Sequence, residues 1–93
     1  MTKAFDMEVF LAGMLTGSNA TRQRHLRQAQ VIQAAIAERW HRESPWAWQR
    51  KHLEWFLAYH LEQRSEDTRY YYLLTARLIT QRLGASWVFG TLN

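Results

Sequence analysis

A chain of 93 residues fits one domain and buries about 60% of its unfolded surface, enough for a modest core without staples. Its 47% apolar content and five Trp exclude a disordered tail, and the absence of Cys excludes disulfides and thiolate metal sites. The net charge of +4 and a pI near 10 make it mildly basic.

The placement of charge says more than the sum. The eight acids are Asp6, Glu8, Glu38, Glu43, Glu54, Glu62, Glu66 and Asp67. Residues 9–37 therefore hold Arg22, Arg24 and Arg27 with no acid, and residues 68–93 hold Arg69, Arg77 and Arg82 with none. Such segregation gives one face a positive field that draws polyanions; a solvated basic face without a partner is the plain alternative. No apolar run approaches the roughly 18 residues of a membrane span. Asp6 and Glu8 interrupt the first apolar stretch, which argues against a secretory signal, and the lack of Cys fits a reducing cytoplasm.

The period is helical throughout, which predicts an all-α fold of four helices in a compact bundle. Phe10, Leu11, Met14 and Leu15 set the stripe of a first helix over about 5–15, stopped by Thr16-Gly17-Ser18. A second helix over 19–42 follows a Ser18 or Asn19 cap, with Leu26, Ala29, Ile32 or Gln33, Ile36 and Trp40 at spacings of three and four. Ser44-Pro45 breaks the pattern and opens a third helix over 45–64, with Leu53, Phe56, Leu57 and His60 or Leu61 inward. After Ser65-Glu66-Asp67 a fourth helix over 68–83 turns Tyr71, Leu74, Leu78 and Leu83 to the core and ends on Gly84 as a left-handed cap. The expected core is Leu53, Phe56, Leu57, Leu74 and Leu78, faced by Ile32, Ile36 and Trp40. The tail, 85–93, reads as a strand-like arm, a core plug or a stub leading elsewhere.

Two of the helix openings resemble each other. Ser18-Asn19-Ala20-Thr21-Arg22 and Ser65-Glu66-Asp67-Thr68-Arg69 lie 47 residues apart, and each leads into a segment with arginines and no acid for many residues. A helix N-terminus offers unpaired N–H groups and the positive end of the dipole, to which Thr adds a hydroxyl and Arg a fixed charge. That combination suits phosphate.

Catalytic constellations find no support. His25, His41, His52 and His60 include no pair three or four apart, which predicts no metal site and no cofactor. The four Gly are scattered, so there is no phosphate loop, and no Ser stands by a His–acid pair. Successive helical residues point about 100° apart, so Tyr70, Tyr71 and Tyr72 cannot act together. They should divide into one core, one groove-edge and one flanking side chain. Trp40, Trp46, Trp48 and Trp55 bracket the Pro45 turn and should pack the end of the bundle, or else present an aromatic patch to a partner.

In order and spacing these signals resemble the N-terminal core-binding domain of the tyrosine recombinases (phage-type integrases), a SAM-like four-helix module. Met7-Glu8-Val9-Phe10-Leu11-Ala12 looks like that family's opening helix. Ser18-Asn19-Ala20-Thr21 with His25, Ala29, Ile32 and Ile36 is similar to its second, and His52-Leu53-Glu54-Trp55-Phe56-Leu57-Ala58-Tyr59 to its third. Ser65-Glu66-Asp67-Thr68 and Leu73-Leu74-Thr75-Ala76-Arg77 resemble its fourth. The match covers about residues 5–84. It implies a cytoplasmic protein of bacterial or phage origin whose second and fourth helices face the major groove of duplex DNA. Carried over by position, the resemblance implicates Thr21, Arg22, Arg24, Thr68, Arg69 and Arg77; Arg27 joins them on charge alone. Three departures stand out: His25 replaces a usual Tyr, one residue is missing before Arg77, and Glu66 and Asp67 place negative charge beside a proposed phosphate site. The family's catalytic domain, with its Arg, His and Tyr, is absent from these residues.

The sequence thus predicts a non-enzymatic, duplex-DNA-binding module of DNA integration or site-specific recombination. Its partners would be DNA and a recombinase catalytic domain or another protein, with no membrane and no metal. Two other readings compete: a small helical protein-interaction module, such as a phage or plasmid regulator, docking through its Trp-rich end, and a transcriptional regulator with a groove-inserted helix pair.

Overall fold

The computed structural model describes residues 5–89, and among them the chain forms four α-helices and no strand. Helix α1, Met7–Phe10, is a single turn. Asp6 caps it, its carboxylate accepting from the N–H groups of Glu8 and Val9 at 3.0 and 3.2 Å. The chain then turns through 11–14, so the helix expected over 5–15 is cut short, although Phe10 and Leu11 are buried as expected. Gly13, with φ +85°, leaves the right-handed helix there.

Helix α2, Asn19–Trp40, presents Leu26, Ala29, Ile32, Ala35 and Ile36 to the core. It ends two residues early because His41 adopts a left-handed conformation at φ 58°, where its N–H still reaches Ala37 O. The expected third helix is not continuous. Pro45–Ala47 is a 3-10 turn capped by Ser44, Trp48 and Gln49 are extended, and helix α3 runs only over Arg50–Trp55. The break is set by Trp48, whose buried indole N–H donates to Arg42 O at 2.8 Å while the Arg42 guanidinium donates to Ala47 O at 3.0 Å. From Phe56 to His60 the helix widens into a π turn, which stacks the His60 ring on Phe56 at 4.7 Å and keeps Leu61 in the core.

Helix α4, Glu66–Leu83, follows the Ser65 cap directly. Its end matches expectation: Gly84 is left-handed at φ 71°, with its N–H on Gln81 O and that of Ala85 on Thr80 O. Of its expected inward face only Leu83 packs against the core cluster, half-buried. The buried residues are Tyr72, Leu73, Thr75, Ala76, Ile79 and Thr80, whereas Tyr71 is exposed and Leu74 and Leu78 are half-buried outside the core cluster. At 100° per residue the helix is turned by roughly 140° from the orientation its leucines suggested. Small side chains explain the choice. Ala76 and Thr75 admit close packing, and each buried Thr hydroxyl has a carbonyl four residues back, Thr75 to Tyr71 at 3.1 Å and Thr80 to Ala76 at 2.9 Å.

The remaining expected core residues, Leu53, Phe56, Leu57, Ile32 and Ile36, are buried, and Trp40 is half-buried against them. The tail packs back: Phe89 is buried and Trp87 leans on the core, with no strand over 85–89. Residues 90–93 of the expected tail lie outside the described residues. The Cα radius of gyration, 12.6 Å, is close to the value of about 12 Å for a single domain of this length.

Candidate nucleic-acid interface

The two openings fold alike. Ser18 and Ser65 have φ/ψ of −66°/162° and −65°/159°. Each Ser Oγ accepts from the N–H of the Thr three residues on, at 3.1 Å for Thr21 and 3.2 Å for Thr68. Each Ser hydroxyl also donates to that Thr's Oγ1 at 3.0 Å, so the Thr keeps its own proton to donate outward. The Arg22 and Arg69 N–H groups close the first turns on Ser18 O and Ser65 O at 3.0 Å. The first two N–H groups of each helix have no partner within it.

Contacts between α2 and α4 set how the two openings sit. The Arg24 guanidinium lies 4.5 Å from the centre of the Tyr71 ring, and Gln28 Oε1 accepts from the Thr75 hydroxyl at 2.8 Å. Both pairs are offset by 47 residues, as are the two Ser caps. Residue number rises along both helices through the seam, so they run in the same sense and their N-termini emerge at one end. Thr21, Arg24 and Gln28 are spaced i, i+3, i+7, as are Thr68, Tyr71 and Thr75, so extending the seam one turn leads to the two threonines.

A polar node anchors this seam. Thr75 Oγ1 lies 2.8 Å from His25 Nδ1, and its one proton is directed to Gln28 Oε1 or Tyr71 O, so His25 Nδ1–H donates to it. Burial, and then the Arg24 guanidinium, push the His25 pKa below its usual value. His25 is therefore a neutral bridge between the helices.

The expected residues fall into three places. Thr21, Arg22, Thr68 and Arg69 lie in the first turns of the co-directed helices and Arg24 in the second turn of α2. Arg27 is exposed on α2, one turn beyond Arg24. Arg77 stands apart, lining a groove of about 300 Å³ with Thr80, Gln81, Trp87, Val88 and Phe89 beneath the tail. The sole ion pair among the described residues is Arg50–Glu54 at 2.7 Å, so none of these arginines is neutralised by an acid there. Glu66 and Asp67 nevertheless occupy the first turn of α4, while α2 has no acid in its first turn.

Spacing alone did not reveal Tyr71, His25, Gln28 and Thr75 as seam residues. The signal was present, since 24 to 71 and 28 to 75 repeat the 47-residue offset of the caps. The Trp cluster packs the end of the bundle: Trp48 is buried, Trp40 and Trp55 meet edge to face at 5.1 Å, and Arg39 lies over both. Trp46 alone is largely exposed, at 56%, and it leans on Phe10 and Arg82.

Among the described residues no cluster of His, Cys, Asp or Glu has the arrangement of a metal site, and no helix is long and apolar enough to cross a membrane. Compared with known proteins, the chain matches no family model, no curated protein and no solved structure.

Proposed function

We propose that this chain is a non-catalytic module that grips the phosphates of duplex DNA, acting in DNA integration or site-specific recombination as its resemblance to recombinase core-binding domains implies. The observation that carries the DNA reading is the co-directed pair of Ser-capped helix openings. It gathers two dipole ends, two Thr hydroxyls and Arg22, Arg24 and Arg69 at one end of the molecule. Arg27 extends the basic surface along α2. Arg77, beneath the tail, takes a lesser part than its place in the resemblance implied. Trp48 is buried and Trp40 and Trp55 pack on each other, so what the Trp-rich end leaves open to a partner is Trp46 and a groove of about 530 Å³ lined by Trp55, Arg39 and His60.

The contacts are phosphate contacts, so binding is electrostatic and sequence-tolerant, with a Kd of about 10⁻⁴ to 10⁻⁶ M at physiological salt. Neutralising about four phosphates gives log affinity a slope near −3.6 against log salt. The test is an amide-shift titration of the chain with a duplex at low salt. Shifts gathering at residues 19–28 and 66–71 support the reading. No binding at low salt, or shifts gathering around Trp46, would replace it with the protein-interaction reading.

A further inference from the structure

Arg77 sits two residues, or about 200°, around α4 from Thr75 of the seam, and its side chain is exposed. Its neighbours one turn away on the helix are Leu73, Leu74, Thr80 and Gln81, none of them an acid. Glu66 and Asp67 lie roughly 15 Å or more upstream along the axis, and residues 68–93 contain no acid. The chain beyond Gly84 returns over this side of α4 and forms with it the groove of about 300 Å³, a volume at the lower end of the range for small-ligand sites. Of its lining, Thr80 and Phe89 are buried, Trp87 is half-buried and Val88 is 71% exposed. The Thr80 hydroxyl is already committed to Ala76 O. Other donors in the groove have no partner among the described residues. Arg77 has no carboxylate, the Trp87 indole N–H, unlike that of Trp48, has no acceptor, and neither do the backbone N–H groups of Trp87, Val88 and Phe89.

We infer that this groove is a binding site for a small aromatic carboxylate, its oxygens on Arg77 and its ring against Trp87 and Val88. The lining combines one fixed positive charge, free N–H donors and an apolar aromatic wall, with no negative charge to oppose an anion. The planar guanidinium fork matches the two oxygens of a carboxylate, and an indole packs well edge-on or offset against a flat ring. A DNA phosphate has no apolar body and would leave Trp87 and Val88 uncovered. The site lies across α4 from the two Ser-capped openings' seam, so it stands or falls apart from the DNA reading.

The test is a titration of the full chain, followed through its amide shifts, with 2-naphthoate, with its uncharged counterpart 2-naphthamide, and with acetate. Naphthoate should bind saturably with a Kd on the order of 1 mM and move the amides of Arg77, Thr80, Gln81 and residues 85–89. Naphthamide, which lacks the charge, and acetate, which lacks the ring, should each bind about tenfold more weakly or worse. Arg77→Gln should weaken naphthoate about tenfold and leave naphthamide unchanged, while Trp87→Leu, which removes the flat ring, should weaken both. Arg22→Ala should alter neither. Naphthamide binding as tightly as naphthoate, or Arg77→Gln without effect on naphthoate, overturns the site. Shifts gathering at residues 19–28 instead overturn it by placing the anion at the helix openings. Displacement of naphthoate by a duplex overturns it by returning Arg77 to DNA. An acidic peptide that moves these amides when naphthoate does not assigns the groove to a protein partner and overturns the small-ligand site.

Discussion

The openings of α2 and α4 share backbone angles to within a few degrees and the same two Ser–Thr hydrogen bonds, yet differ in charge. The first turn of α2 is free of acid; that of α4 carries Glu66 and Asp67. The geometry of a helix start is set by the cap, while its appetite for an anion is set separately by the residues in the first turn. Glu66 and Asp67 stabilise their own helix by complementing its dipole, and by the same field they oppose an incoming phosphate. Helix α2 is left uncompensated, so the grip on DNA should be lopsided, stronger on the α2 side.

The two starts face one ligand only if α2 and α4 are locked at the observed register, and the largest effect tests that lock. Ile79→Ala, on the buried face of α4, should cost about 2–5 kcal/mol in urea melts, and Leu74→Ala clearly less, below about 1.5 kcal/mol. Equal losses would return the helix to the face its leucines suggested. The equivalence of the caps comes next. Ser18→Ala and Ser65→Ala should each destabilise by about 1 kcal/mol, and values differing by more than about 1 kcal/mol would break the symmetry of the two starts.

The charge difference should show in binding. Glu66→Gln together with Asp67→Asn should tighten duplex binding by about three- to tenfold at low salt, an effect that fades as salt rises. Arg22→Ala should reduce affinity more than Arg69→Ala in the parent chain, and the gap should close in the double variant. A gap that persists would mean the acids are not its cause.

The smallest effect concerns the seam. The pKa of His25 is lowered by burial and then by Arg24; that of His52 is lowered by burial, then by Arg42 and Lys51. His52 is 1% exposed, and its Nδ1 accepts from the Gln49 N–H at 2.8 Å. Below pH 6.5 the unfolded chain binds more protons at these sites than the folded one, so stability is full above that pH and declines as pH falls through 6 toward 5. Thermal melts between pH 7.5 and 5 should show the decline, and His25→Gln should flatten part of it. An undiminished slope in that variant would remove His25 from the account.

What the sequence by itself determined were the features that depend on residues within a turn of one another. Four helical segments, the Ser18 and Ser65 caps, the Gly84 left-handed stop and the separation of acids from arginines were all legible, because a cap or a dipole partner is a local interaction. The short α1 and the broken third helix were not, since the apolar spacing ran on unbroken while the Trp48–Arg42 clasp diverted the chain. Only the tertiary structure decided which side of α4 is buried, that α2 and α4 run in the same sense, and which tyrosine is spared for solvent. Leu74 and Leu78 are larger apolar groups than Thr75 and Ala76, so burial by hydrophobicity alone favours the wrong face. Close approach of α2, with Gln28 and His25 as partners for the buried hydroxyl, reverses that preference, and those partners are not in view until the second helix is in place.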